Sequence, residues 1–91
     1  LTAFVEIKVS GQSRRRAEEL EKAVANVDEI IACYIVAGDA DFMLEVAVPD
    51  LAAYEHLLLH TLLELPGVFD VRSNFAIRTV KEAGPLPLAK N

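Results

Sequence analysis

The sequence predicts an α+β sandwich made of six elements in the order βαββαβ. Two strand-like segments flank a sharp turn at residues 36–42, Val-Ala-Gly-Asp-Ala-Asp-Phe. A second stop signal, Leu65-Pro66-Gly67-Val68, lies one predicted helix further along the chain. Each half of the chain therefore follows the pattern strand, helix, strand, and the turn joins the two halves.

The first half of the chain carries a strand, a helix and a second strand. Residues 2–9 alternate in polarity with a period of two, which is typical of a strand. Ser13 is placed to cap a helix that ends near Asn26, and its apolar residues recur at spacings of three and four. Residues 28–37 are apolar on both faces, so we expect both faces of this second strand to be covered.

The second half repeats this order after a hairpin. Gly38 supplies the positive φ that a tight hairpin needs, and residues 41–48 form the third strand. A second helix begins at Pro49-Asp50 and is stopped by Pro66-Gly67. Its predicted core stripe consists of Leu51, Tyr54, Leu58, Leu62 and Leu65. Residues 68–80 form the last strand, with Val71, Ser73, Phe75 and Ile77 on one face and Asp70, Arg72, Asn74, Ala76 and Arg78 on the other.

These elements predict a single sheet with one covered face. Parallel strands joined by a helix cross over right-handed, and two such units joined by a hairpin give a ferredoxin-like arrangement. It has a four-stranded antiparallel sheet with both helices on one face. The opposite, open face carries Phe4, Met43, Ala47 and Ala76 among charged residues. Such a face is too apolar for water alone, so we expect the chain to dimerise through it.

Length and composition limit the classes of protein that the chain can represent. Its 91 residues fit one domain, which we place at residues 1–82, followed by an extended tail at 83–91 that contains Pro85 and Pro87. The net charge of −5 argues against nucleic-acid binding by the domain itself. No apolar run is long enough to span a bilayer. Cys33 stands alone, which excludes an internal disulfide, suits the cytoplasm and predicts a buried small side chain.

No pattern of catalytic residues is visible in the sequence. There is no Ser-His-Asp order and no glycine-rich phosphate loop, so we expect no enzyme and no cofactor. His56 and His60 have a spacing that can bind zinc, but no third ligand stands at a fitting position and structural zinc normally takes four ligands. We therefore predict no metal centre. Arg72 is expected to form a cross-strand ion pair with Glu45 or with Glu6 of a second copy.

The ordered set of motifs resembles a known family. Residues 33–44, then Val48-Pro49-Asp50 with Tyr54, then residues 62–68, are similar to the C-terminal module of Lrp/AsnC transcriptional regulators, also called the RAM domain. The final Pro-Leu-Pro-Leu run at residues 85–88 fits the same family. The resemblance covers essentially the whole chain. It implies a homodimer that assembles further, often to an octamer, with an amino acid as the small effector bound between dimers.

The resemblance also implies roles for particular residues. The hairpin would contact the effector, the last strand would line the same cleft, and two leucines would fall where response or assembly is controlled. The implied effector-binding residues are Gly38, Asp39, Asp41, Leu63, Ser73, Asn74, Phe75 and Ala76. The predicted oligomer interface consists of Phe4, Met43, Ala47, Leu51, Leu59 and Arg72. Ala40 and the Ser73-Asn74 pair depart from the residues that many relatives carry at these places.

Three alternatives stay open at this point. Asp39 and Asp41 are also the residues that would simply cap a hairpin, as turn aspartates often do. The domain would also make sense as an oligomerisation module without a ligand, or as a small ferredoxin-like enzyme. The family's helix-turn-helix is not among these residues, so DNA would be bound only through a further domain. Because the chain starts at Leu1 within a strand, we expect it to be cut from a longer regulator rather than to be a stand-alone module.

Overall fold

All six predicted elements occur in the predicted order. The computed structural model describes residues 1–10, 14–38 and 41–87. The strands are β1 (Thr2–Val9), β2 (Ile30–Ile35), β3 (Phe42–Ala47) and β4 (Val68–Phe75). The helices are α1 (Arg14–Ala25) and α2 (Leu51–His60), and a short 3₁₀ helix (Leu62–Glu64) follows α2. Ser13, Asp39, Ala40 and residues 88–91 lie outside the described residues, so the predicted cap, half of the hairpin and the end of the tail are not tested.

The sheet has the strand order β2-β3-β1-β4, and every neighbouring pair is antiparallel. At its centre Val5 of β1 lies between Leu44 of β3 and Ser73 of β4. Each outer strand is paired on one side only: β2 pairs with β3, and β4 pairs with β1. This is the ferredoxin-like fold that the sequence predicts.

One face of the sheet and the two helices share a single core. Alternate residues of β1 and β3 are fully or almost fully buried there, which is why both strands show a period of two. The helices contribute Leu20 and Val24 from α1, and Tyr54 and Leu57 from α2. The other face of the sheet is open to solvent. Within the described residues no polar or charged side chain is buried in this core.

Helix α2 is shorter than predicted, and its buried stripe differs. Its start is as expected, because Asp50 caps it by accepting a hydrogen bond from the Ala53 amide at 2.8 Å. The helix ends at His60, so Leu62 and Leu65 reach the core from the 3₁₀ helix and its extended end instead. The predicted stripe is wrong at two places. Leu51 is 61% exposed and Leu58 is only half-buried, while the buried position is Leu57.

The last strand also ends earlier than predicted. Alternation in the sequence continues to Val80, but β4 stops at Phe75 because its neighbour β1 begins at Thr2. The final bond of this ladder runs from the Ala76 amide to the Thr2 carbonyl at 2.9 Å. Beyond it, Ile77 and Val80 are 98% and 86% exposed. Strand length is thus set by the neighbouring strand rather than by the pattern of the strand itself.

Strand β2 lies at the edge of the sheet, and the prediction that both of its faces are covered is wrong within one chain. Ile31, Tyr34 and Ile35 are all more than half exposed. Cys33 is exposed as well, which corrects the prediction that it is buried. An edge strand has a neighbouring strand on one side only. The side chains of a second neighbouring strand, which would cover part of its apolar surface, are therefore missing.

Gly67 joins the 3₁₀ helix to β4 in a conformation that disfavours other residues. Its φ is +75°, and a Cβ atom there would lie 3.1 Å from the Ser10 carbonyl oxygen. We expect Gly67→Ala to lower the free energy of unfolding by about 1–2 kcal/mol, since it combines backbone strain with a close contact. Urea denaturation measures this. A Cβ atom added at Gly84 would meet nothing within 4 Å, so Gly84→Ala is the matched control and should be neutral. Equal effects of both substitutions would contradict this explanation.

Candidate functional site

The β2–β3 hairpin lies at one end of the sheet and carries part of the predicted effector site. Gly38 has φ of +145°, as predicted for this turn, and the space around its Cα is open. Asp39 is outside the described residues. Asp41 is half-buried immediately before β3, where three backbone and side-chain hydrogen bonds hold it. These hydrogen bonds therefore fix the position of Asp41 relative to the sheet.

Asp41 ties the hairpin to the end of β1. Its Oδ2 atom accepts a hydrogen bond from the Val9 amide at 2.9 Å, and its own amide donates to the Ile7 carbonyl at 3.0 Å. The Val36 amide donates to the Asp41 carbonyl at 3.2 Å, which closes the hairpin. Among the described residues, the Asp41 carboxylate thus bonds the end of β1 rather than the turn of the hairpin. Only Oδ2 is used in this way, and within residues 1–10, 14–38 and 41–87 Oδ1 has no hydrogen-bond partner.

Two further connections meet at the same end of the sheet. The Ser10 amide donates to the Gly67 carbonyl at 2.8 Å, and the Ser10 hydroxyl approaches that same oxygen at 3.3 Å. Ser10 follows β1, and Gly67 precedes β4. These bonds join the segment after β1, the hairpin and the entry to β4 into one network.

The predicted residues of β4 lie elsewhere and on both faces of the sheet. Ser73 faces the helices, where its hydroxyl is hydrogen-bonded to that of Tyr54. Phe75 faces the same way, and its ring meets Tyr54 edge-on with the centroids 5.0 Å apart. Asn74 faces the open side, where its amide donates to the Phe4 carbonyl at 3.4 Å and to Glu6 at 3.2 Å. Ala76 lies just outside the strand.

The implied effector-binding residues therefore do not form one cleft within a single chain. Phe75 lies opposite Ala3 at the beginning of β1, whereas Asp41 binds Val9 at its end. Six residues of extended strand separate those two positions, or about 20 Å. Leu63, in the 3₁₀ helix, is 47% exposed and adds a third location. The expected cleft lies between dimers, so it stays a prediction. Within one chain, strand alternation and strand length place these residues on both faces and at different ends of the sheet.

The predicted oligomer-interface residues form two surfaces. Phe4, Met43, Ala47 and Arg72 all lie on the open face of the sheet, as their cross-strand register shows. The Phe4 side chain is 41% exposed at the middle of this face. Leu51 and Leu59 lie on α2 instead, with 61% and 50% of their side chains exposed. Residues on α2 and on the open face cannot belong to one flat interface, because the sheet lies between them.

Arg72 pairs within its own strand. Its Nε atom lies 3.4 Å from Oδ2 of Asp70, so the predicted pair with Glu45 is not the one found within the chain. Residues two apart on a strand share a face, which makes this contact available without a neighbouring strand. Both side chains are substantially exposed, and such pairs contribute little to stability.

A groove between α1 and the edge strand β2 was not anticipated from the sequence. It encloses about 590 Å³ and is lined by residues that include Glu21, Val24, Ile31, Cys33 and Ile35. Partial burial, and secondarily the Glu21 carboxylate, raise the pKa of the Cys33 thiol above its usual value. Thiolate is the reactive form, so this environment makes Cys33 less reactive at neutral pH. The apolar character of both faces of β2 was the available signal for this groove.

Comparison with known proteins identifies the class of domain. A family model described as the Lrp/AsnC ligand binding domain matches residues 2–86. Relatives named as regulatory proteins and solved structures named as transcriptional regulators match nearly the whole chain, so the fold is that of a ligand-binding domain of a regulator. The chain belongs to the Lrp/AsnC family. Within the part of the chain that the structure describes, no helix is long and apolar enough to cross a membrane.

Individual relatives support this assignment along nearly the whole chain. The leucine-responsive regulatory proteins of Klebsiella pneumoniae and Escherichia coli K12 are each 41% identical over 86 residues, or 94% of this chain. The chain spans 52% of the length of either relative. The transcriptional regulator NMB0573 of Neisseria meningitidis, solved as an L-Met complex, is 29% identical with a TM-score of 0.87, covering 96% of this chain and 56% of that one. TTHA0845 of Thermus thermophilus is 26% identical with a TM-score of 0.76, covering 89% of this chain and 98% of that one.

Proposed function

We propose that this chain is the amino-acid-sensing and oligomerisation domain of an Lrp/AsnC-type transcriptional regulator. The observation that carries the proposal is Asp41, whose carboxylate is fixed at the hairpin by one oxygen while the other is without a partner among the described residues. A free amino acid presents an ammonium group that such an oxygen can bind, and backbone amides near Gly38 would serve its carboxylate. DNA binding would belong to a further domain; the chain spans 52% of the length of the Klebsiella pneumoniae regulatory protein.

The effector is proposed to bind between copies rather than within one. Along β1, the hairpin end is about 13 Å from Ser73 and about 20 Å from Phe75, too far for both to touch one amino acid from the same chain. Two copies placed side by side can bring one hairpin against the other end of a second sheet. The L-Met complex of the Neisseria regulator supports an amino acid as the class of effector.

The proposed assembly begins with a dimer formed by the open sheet faces. That face exposes Phe4 next to Ala47 and half-buried Met43, and covering it would remove apolar surface from water. Further dimers would associate through α2, where Leu51, Leu59 and Leu63 are exposed, up to an octamer. An effector bound between dimers would favour one assembly over another, and a coupling of about 1–3 kcal/mol is sufficient for regulation.

Asp41→Asn tests the proposed role of the carboxylate. The amide oxygen of asparagine can still accept the Val9 hydrogen bond, but the negative charge is lost. We expect effector binding to weaken at least about tenfold, because a charge-assisted hydrogen bond contributes about 1.5–3 kcal/mol. The measurement is calorimetric titration with the amino acid that changes the light-scattering mass of the unmodified chain, chosen by screening all twenty.

The control for Asp41→Asn is Asp41→Ala, which also removes the Val9 acceptor and should be less stable by about 1–3 kcal/mol. Both variants should keep the dimer, since Asp41 lies at the end of the sheet and not on its open face. Unchanged binding in Asp41→Asn would remove Asp41 from the site. A mass that responds to none of the twenty amino acids would instead favour an oligomerisation module without an amino-acid ligand.

A further inference from the structure

Two imidazoles lie side by side on the exposed surface of α2. His56 and His60 are four residues apart, so the helix places them on one face one turn from each other. Their ring centroids are 4.3 Å apart with a tilt of 41°. Within the described residues neither ring takes part in a hydrogen bond or an ion pair. They are also the two histidines of the entire sequence.

This geometry fits a shared metal ion. Imidazole nitrogen suits Zn²⁺, Ni²⁺ and Cu²⁺, and zinc-nitrogen bonds are about 2.0–2.1 Å long, so two nitrogens on one ion are at most about 4.2 Å apart. Exposed rings with centroids at 4.3 Å reach that separation by side-chain rotation alone. We propose that His56 and His60 form a two-imidazole chelate for a divalent transition-metal ion on the outer face of α2.

The site is open and differs from a structural zinc centre. Glu64 would continue the row on a longer helix, but α2 ends at His60 and Glu64 lies in the 3₁₀ helix. No group of three or more metal-binding side chains occurs among the described residues. Two ligand positions from the protein leave the others to water, and this proposed chelate departs from the expectation of no metal centre. The net charge of −5 favours the approach of a cation.

Metal titration of single-histidine variants tests the chelate. With any affinity tag removed, NiCl₂ and ZnCl₂ are titrated into the full chain and into His56→Gln and His60→Gln by calorimetry. The unmodified chain should bind one ion per chain at least about tenfold more tightly than either variant, because the second imidazole binds as a tethered ligand. Glu64→Gln is the matched control and should bind like the unmodified chain.

A second readout separates the chelate from other weak metal contacts. Zn²⁺ should shift the ring-proton NMR signals of both histidines together and should raise the melting temperature of the unmodified chain, since an ion that binds only the folded helix stabilises it. Equal affinities for the unmodified chain and the two variants, or a shift confined to one ring, would overturn the proposal. Asp41→Asn should not alter any of these results, so they are independent of the effector site.

Discussion

Leu44→Ala is expected to lower the free energy of unfolding by about 3 kcal/mol. Leu44 is fully buried at the middle of β3, where Val5 and Cys33 are its neighbours on the two adjoining strands. Truncation to alanine removes apolar contacts and leaves a cavity. Because β3 is paired with a strand on each side, it cannot move to close that cavity. Such substitutions lower the free energy of unfolding by about 2–5 kcal/mol. The measurement is urea denaturation followed by circular dichroism at a fixed protein concentration.

Leu86→Ala deletes the same atoms from a side chain that is 89% exposed, and it serves as the control for Leu44→Ala. We expect it to change stability by less than about 0.5 kcal/mol. A loss below about 1 kcal/mol in Leu44→Ala would mean that the core does not contain this side chain as described. A loss in both variants would place the tail against the folded domain.

Phe4→Asp is expected to convert the proposed open-face dimer to a monomer at micromolar concentration. Phe4 lies on the open face of the central strand β1, between Glu45 and Asn74 on the neighbouring strands. A carboxylate there would have to be desolvated in a face-to-face dimer, and it would add to the negative charge of Glu6 and Glu45 on the same face. Loss of a central aromatic contact typically costs about 2 kcal/mol or more, which is roughly thirtyfold in Kd.

Sedimentation equilibrium measures this change, with circular dichroism to show that the fold is retained. Phe4→Leu keeps an apolar side chain at the same place and should remain a dimer. If Phe4→Asp has the same mass as the unmodified chain, the open face is not the dimer interface. A dimer that survives Phe4→Asp but is lost on substitution of Ile31 or Ile35 would place the interface at β2.

Local patterns determine much of this fold, and tertiary context determines the rest. The order of elements follows from periodicity and from the stop signals at Gly38 and Gly67, and it is confirmed. The end of α2 was not predictable, because Leu62 and Leu65 fit a helical stripe and a 3₁₀ helix equally well. The end of β4 was not predictable either, since it depends on where the distant strand β1 begins.

The candidate site shows the same division. The turn residues Gly38 and Asp41 were recognisable because hairpin chemistry is local. The hydrogen bond from the Val9 amide to Asp41 joins residues 32 positions apart, and no sequence pattern around either residue predicts it. Strand alternation in the sequence correctly predicts that Ser73 and Asn74 lie on opposite faces of the sheet. A family resemblance can assign residues to a binding site, but only the register of the sheet shows which of their side chains lie close together.

The bonds at the hairpin end also determine how a mechanical load would pass through the domain. Asp41 holds the last amide of β1, and Ser10 just beyond it holds Gly67 at the entry to β4. A pull on the hairpin would therefore act, through these hydrogen bonds, on the end of β1 and on the entry to β4. They link the segments beside the two edge strands, even though β2 and β4 are not in contact.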